Sequence, residues 1–185
     1  MLISEGYRAQ QQKLHEVGNY GVASIQYAPI VSQMVNNLEI THLLDYGSGS
    51  RCNLGKSLKV KHKLTYQAYD PGVPKFASPP FPAQMVACID VLEHVEADHL
   101  DDVLDHLQSL VEAVGFFSVH TGPAVKTLDD GRNAHLIQAP PEWWLPKFME
   151  RFDLHSFQVT GEHGFYVVVY AKPGVIEDSS GERLS

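Results

Sequence analysis

Asp45 and Asp90 each follow a run of apolar residues and Asp70 an alternating one, and two glycines, Gly47 and Gly49, follow the first acid with one residue between them. Glycine has no Cβ, so the backbone there can turn sharply and lie against a ligand. Asp70, 25 residues beyond Asp45, stands where nucleoside-binding folds place a carboxylate to accept hydrogen bonds from ribose hydroxyls. Each feature also has a plain structural explanation. A Gly-x-Gly pair is often only a turn, and an Asp before Pro71 initiates one. Convergence of three acids at the ends of strands favours a nucleoside ligand. The second candidate chemistry belongs to histidine, whose ordinary pKa of about 6.5 suits it to take a proton from a hydroxyl or an amine. His120 closes a fourth apolar run, His135 follows the loop Asp129-Asp130-Gly131-Arg132, and His94 follows Glu93. His120 and His135 are the candidates for catalysis. Glu93, His94 and His99 do not place two histidines at i, i+4 on one helix face, so no metal site is expected.

These residues need elements to position them. Residues 4–17 read as a loose polar helix, and Ile25, Ile30, Val31, Met34 and Val35 predict a second helix over 22–35. Residues 41–46, 64–69, 85–89 and 116–120 read as strands, with a short helix over 54–58 between the first two. Leu100, Val103, Leu104, Leu107, Leu110 and Val111 fall on one stripe of a helix whose other positions carry Asp98, Asp101, Asp102 and Asp105. An aromatic-rich helix over 142–152 precedes strands 155–159 and 165–170, joined by Gly161-Glu162-His163-Gly164. Strands alternating with helices predict an α/β fold with a mostly parallel sheet, helices on both faces and a closing antiparallel hairpin. Right-handed crossovers then put a ligand crevice at the carboxyl ends of the strands, where Asp45, Asp70 and Asp90 lie.

Residues 43–49, an apolar strand running into Asp-Tyr-Gly-Ser-Gly, resemble the first motif of class I S-adenosylmethionine-dependent methyltransferases. Asp70 resembles the ribose-binding acid of that family. Ile89-Asp90-Val91-Leu92-Glu93-His94-Val95 is similar to the segment found in its small-molecule O- and C-methylating branch. The resemblance covers roughly residues 20–172 and implies a Rossmann-like fold with S-adenosyl-L-methionine as cofactor. It assigns cofactor contacts to Asp45, Gly47, Gly49, Asp70, Asp90, Leu92 and Glu93, and a small-molecule acceptor as the partner. Two departures stand out. Ser50 and Arg51 replace a third glycine, which also weakens a hydride-transfer dinucleotide reading, because pyrophosphate needs that glycine at a helix start. Pro71, Pro74, Pro79, Pro80 and Pro82 crowd the short interval between Asp70 and Asp90, where the family holds a helix and a strand. The sheet is expected to be one strand short, with Phe76 or Phe81 covering the adenine.

Composition sets the outer bounds. The chain has 185 residues, which fits one domain: a helical segment 1–38, a core 39–173 and a flexible tail 174–185. A net charge of -8 argues against general nucleic-acid binding, although Arg51, Lys56, Lys59, Lys61 and Lys63 form one local basic run. That run keeps open a nucleic-acid or nucleotide methyltransferase, and the shortened interval keeps open a non-catalytic S-adenosylmethionine-binding protein. Only Cys52 and Cys88 are present, outside any Cys-x-x-Cys pair, so a reducing cytoplasm is expected. No apolar run has spanning length, so no membrane role is expected.

Overall fold

Alternation of side chains through the strands decides the architecture. Leu44, Tyr46, Val86, Cys88, Phe117 and Val119 point to one side of a central sheet; Leu43, Met85, Ala87, Ile89 and Phe116 point to the other. Both faces are apolar, so both must be covered, as parallel sheets require. The structure, a computed structural model, describes residues 1–16 and 22–172. The elements run α1 (Glu5–Glu16), α2 (Ala23–Asn37), β1 (His42–Tyr46), α3 (Asn53–Ser57), β2 (Thr65–Tyr69), β3 (Ala83–Ile89), α4 (Leu100–Leu110), β4 (Val111–His120), α5 (Pro141–Arg151), β5 (Phe152–Val159) and β6 (Gly164–Ala171). The expected tail from 174 and the end of the first helix at residue 17 lie outside the described residues.

The sheet order is β2-β1-β3-β4-β6-β5. β1 pairs in parallel with both β2 and β3, and β3 with β4. β6 runs antiparallel to β4 and β5. The chain therefore leaves β1 toward one side for β2 and returns to the other side for β3. That reversal opens a crevice at the carboxyl end of β1.

α4 and α5 cover one face. Leu100, Val103, Leu104 and Leu107 lie under the strands beside Trp144 and Phe148. α2 and α3 cover the other face through Val31, Val35 and Leu54. Between β2 and β3 the described chain forms only a single 3-10 turn, Pro74–Phe76, as the prolines foretold. Two boundaries differ most from expectation, the others shifting by one or two residues. β4 begins at Val111, taking the last residue assigned to the α4 stripe, and β5 begins at Phe152, taking the last residue assigned to α5. In both cases an apolar residue at the helix end is buried by strand pairing instead. No helix among the described residues is long and apolar enough to cross a membrane.

Candidate functional site

The crevice at the end of β1 is a cavity of about 260 Å³. Its floor is the turn after β1. Gly47 (φ 80°) and Gly49 (φ 62°) are both left-handed, a conformation that glycine adopts without the Cβ penalty. The Gly47 and Ser48 amides donate to the carbonyl of Tyr69 at 2.8 and 3.0 Å, tying the turn to the end of β2. A Cβ on Gly47 would stand 2.3 Å from Cγ2 of Val91. This glycine therefore admits a neighbouring side chain at least as much as a ligand.

Asp70 is buried and holds two strand ends together. Its Oδ2 accepts the amide of Gly49 and its Oδ1 the amide of Gly72, each at 2.9 Å. Besides forming this turn, Asp70 lines the cavity. Asp45 also lines it, is buried, and accepts the hydroxyl of Tyr66. Burial pushes its carboxyl up to about 7, against the pull of the Tyr66 bond and with a further push from Asp70. Asp90 sits on the opposite wall at φ 52°. Ser118 holds it there: the Ser118 hydroxyl donates to Asp90 Oδ1 at 2.6 Å and accepts the Asp90 amide at 3.0 Å. Such over-determination is how a non-glycine residue stays in a sparsely populated backbone region.

The far end is built from three segments. His94 and His135 line the cavity with their rings 4.7 Å apart. His94 Nδ1 lies 2.8 Å from the carbonyl of Ala134, and His135 Nδ1 lies 2.7 Å from that of Gly122. A carbonyl can only accept, so each Nδ1 donates. Burial lowers the pKa of His135. The loop carrying it is pinned by Asn133, whose Oδ1 accepts the amides of Ala124 and His135 at 2.9 Å each. Ile137 N donates to the carbonyl of Glu93 at 3.0 Å, closing the loop onto the end of β3.

The sequence-derived residues divide accordingly. Asp45, Gly47, Gly49, Asp70, Asp90 and His135 share the cavity wall. Leu92 does not: it is fully buried in the core under α4. Glu93 is fully buried too and lies off the wall. Its Oε1 accepts the amide of His120 at 3.0 Å, while Oε2 has no partner among the described residues. Burial, with the Asp90 carboxylate adding to it, drives the Glu93 carboxyl well above the usual range. His120 is also off the wall, its ring 4.9 Å from that of His135. Phe76 and the largely exposed Phe81 do not line the cavity, where Pro71 and Gly72 stand instead. The basic residues 51, 56, 59, 61 and 63 are all exposed and none reaches the cavity.

Two features were missed. α1 and the residues just before it form a wall of the site, because Ile3, Tyr7 and Gln11 line the cavity. The Tyr7 hydroxyl donates to the carbonyl of His94 at 2.7 Å, and Ser4 donates twice to Glu96 at 2.8 Å. The signal was present as the i, i+4, i+8 spacing of residues 3, 7 and 11. The second is a metal-ligand grouping that the sequence reading did not assemble: Glu93, His94 and His135 each bring one ligand atom within 4.8 Å of the others. The expectation of no metal site considered His99 in place of His135.

No protein-family model matches the sequence, and no curated protein does. Solved structures do match. An O-methyltransferase family protein from Burkholderia thailandensis superposes with a TM-score of 0.66 at 15% identity, over 94% of this chain and 64% of that one. The 1,6-didemethyltoxoflavin N1-methyltransferase of the same organism, solved with its substrate and S-adenosylhomocysteine, gives 0.60 at 14% identity over 91% and 86%. The N-methyltransferase NodS of Bradyrhizobium japonicum WM9, also with S-adenosylhomocysteine, gives 0.60 at 10% identity over 89% and 100%. The chain thus spans somewhat less than two thirds of the length of the first of these. The fold of this chain is the Rossmann-like fold of class I S-adenosylmethionine-dependent methyltransferases.

Proposed function

We propose that this chain transfers the methyl group of S-adenosylmethionine to a small-molecule acceptor. The charge of the cavity carries the reading. Among the described residues, Asp45, Asp70, Asp90 and Glu96 line it and no Lys or Arg does. A pyrophosphate would find no cationic partner there, whereas a ligand with an ammonium, a sulfonium and ribose hydroxyls finds carboxylates. S-Adenosylmethionine would supply a methyl group on a sulfonium, activated for displacement. Asp45 and the Gly47–Gly49 turn receive its amino-acid end, and Asp70 its ribose. Asp90 and Val91 form the opposite wall. The acceptor enters between α1, which brings Gln11 to the cavity wall, and the His94–His135 pair. Methyl transfer asks mainly for alignment of acceptor and sulfonium, and the loop fastened by Asn133 supplies a fixed wall for it.

Calorimetric titration with S-adenosylhomocysteine tests the reading. Saturable one-to-one binding, weakened at least tenfold in Asp70→Ala, is the expected result. A folded protein that takes up neither donor nor product would refute it.

A further inference from the structure

We propose that Glu93, His94 and His135 form a binding site for one divalent transition-metal ion at the acceptor end of the cavity. Whether the ion binds is independent of the methyltransferase reading; only the role assigned to it rests on that reading.

Three observations converge. The ligand atoms of the three side chains already lie within 4.8 Å of one another. An ion bound at about 2.1 Å to each would bring them to roughly 3.4 Å in tetrahedral geometry, so small side-chain rotations complete the set. Glu93 is fully buried, yet only Oε1 is bonded, to the His120 amide; Oε2 lacks a partner among the described residues. A buried carboxylate oxygen without a partner is costly, and a bound cation would satisfy it. Finally, both imidazoles are oriented as ligands usually are. His94 Nδ1 is fixed to the carbonyl of Ala134 and His135 Nδ1 to that of Gly122. Each Nδ1 carries its proton, and a ring N–H donated to a backbone carbonyl is the usual orientation of a metal-bound histidine.

One carboxylate and two imidazoles suit zinc, iron, cobalt or nickel better than magnesium or calcium, which prefer all-oxygen sets. Three protein ligands leave a coordination position open. His94 and His135 stand on the cavity wall, so that position faces the acceptor. The acceptor class follows: a molecule with a hydroxyl that can occupy the open position, as opposed to an amine or carbon nucleophile. The ion lowers the pKa of the hydroxyl, whose proton passes to solvent. The oxygen then forms the C–O bond while the C–S bond of the donor breaks, leaving its electron pair on sulfur as a neutral thioether. His135 acts here as a ligand and takes no proton.

Cobalt(II) is the probe, because its visible absorption reports coordination without any turnover. Chelator-stripped protein is titrated with cobalt(II) and then back-titrated with zinc(II). One saturating equivalent with tetrahedral-type bands, displaced by zinc, is expected. Glu93→Gln and His135→Ala should each weaken cobalt binding at least tenfold, while His99→Ala leaves it unchanged. Glu93→Gln keeps an acceptor for the His120 amide, and half-buried His135 can be truncated even if position 93 proves sensitive to folding. Absence of saturable bands, or bands that persist in both variants, overturns the site. S-Adenosylhomocysteine calorimetry on the same preparations separates the outcomes. Product binding without cobalt sinks this inference alone; cobalt binding without product affinity sinks only the transferase reading.

Discussion

Replacing Asp45 by Asn removes an ionisation while keeping an oxygen for the Tyr66 hydroxyl to donate to. The folded-state pKa of Asp45 is raised from 3.8 to about 7, with burial the leading cause. In the unfolded chain the carboxyl loses its proton near pH 4, so between about pH 4 and pH 7 the folded state binds more protons than the unfolded one. Stability contributed by the neutral form is complete below pH 4 and is lost as pH rises toward 7. Three pH units at 1.36 kcal/mol each set the size of this loss at about 4 kcal/mol, an upper bound for a group whose surroundings relax. Urea unfolding of the ligand-free wild type and Asp45→Asn at pH 5, 6, 7 and 8 reads it directly. The variant should gain on the wild type by about 1–2 kcal/mol between pH 5 and pH 7, a window that spans only two of those three pH units, and the difference should level off above pH 7. A cation placed beside Asp45 reverses the preference for the neutral form. Binding of the proposed donor should therefore release a proton near pH 6, seen as a dependence of calorimetric heat on buffer ionisation enthalpy, and absent in Asp45→Asn. A stability difference that does not change between pH 5 and pH 7 would refute the buried neutral carboxyl, and with it the proton release.

Gly47→Ala should destabilise the protein by about 2–4 kcal/mol, combining left-handed strain with the collision against Val91. Adding Val91→Ala should return about 1–2 kcal/mol of that, because the two methyl carbons 2.3 and 3.0 Å from the new Cβ are gone; strict additivity in the denaturant cycle would show that Val91 is not the obstacle. Asp70→Ala should cost about 1–3 kcal/mol for each of the Gly49 and Gly72 amides that it leaves without an acceptor. Its donor affinity is therefore to be measured well below its own thermal midpoint. A variant as stable as wild type would mean that these two bonds do not secure the turn.

The central strands β1, β3 and β4 were legible because they bury apolar side chains on both faces, and a run such as Met85–Ile89 has no soluble alternative. The gap between β2 and β3 was legible for the opposite reason: proline cannot donate to a helix or a ladder, and a single 3-10 turn is what remains. Boundaries at Val111 and Phe152 were not, since an apolar residue at a helix end serves equally well as the first buried residue of a strand. α1 was underestimated because its composition is polar. It is held by a few directed bonds, Tyr7 to His94 and Ser4 to Glu96, and by a short apolar contact of Ile3 and Tyr7 with Leu128 and Ala134, too few positions to stand out in a polar segment.

In the site the same division holds between what local sequence encodes and what chain closure brings together. Asp45, Gly47 and Gly49 belong to one turn, and Asp70 and Asp90 end neighbouring strands, so strand order alone assembles them. Glu93 and His94 meet His135 only because the loop after β4 folds back, with Asn133 bonding Ala124 and with Ile137 reaching the carbonyl of Glu93. Nothing in the spacing of residues 93, 94 and 135 encodes that contact. Leu92 and Glu93 illustrate the converse. Both sit in the motif after β3, yet one fills the core and the other turns its carboxylate inward, beneath the wall that a ligand would touch. A motif fixes where the backbone goes, and the backbone at Asp90, held at φ 52° by Ser118, decides which side chains after it face the cavity. The carboxylate that turns away from the cavity wall is then the one left with an oxygen that has no partner among the described residues, and it is this oxygen that the proposed ion would bind.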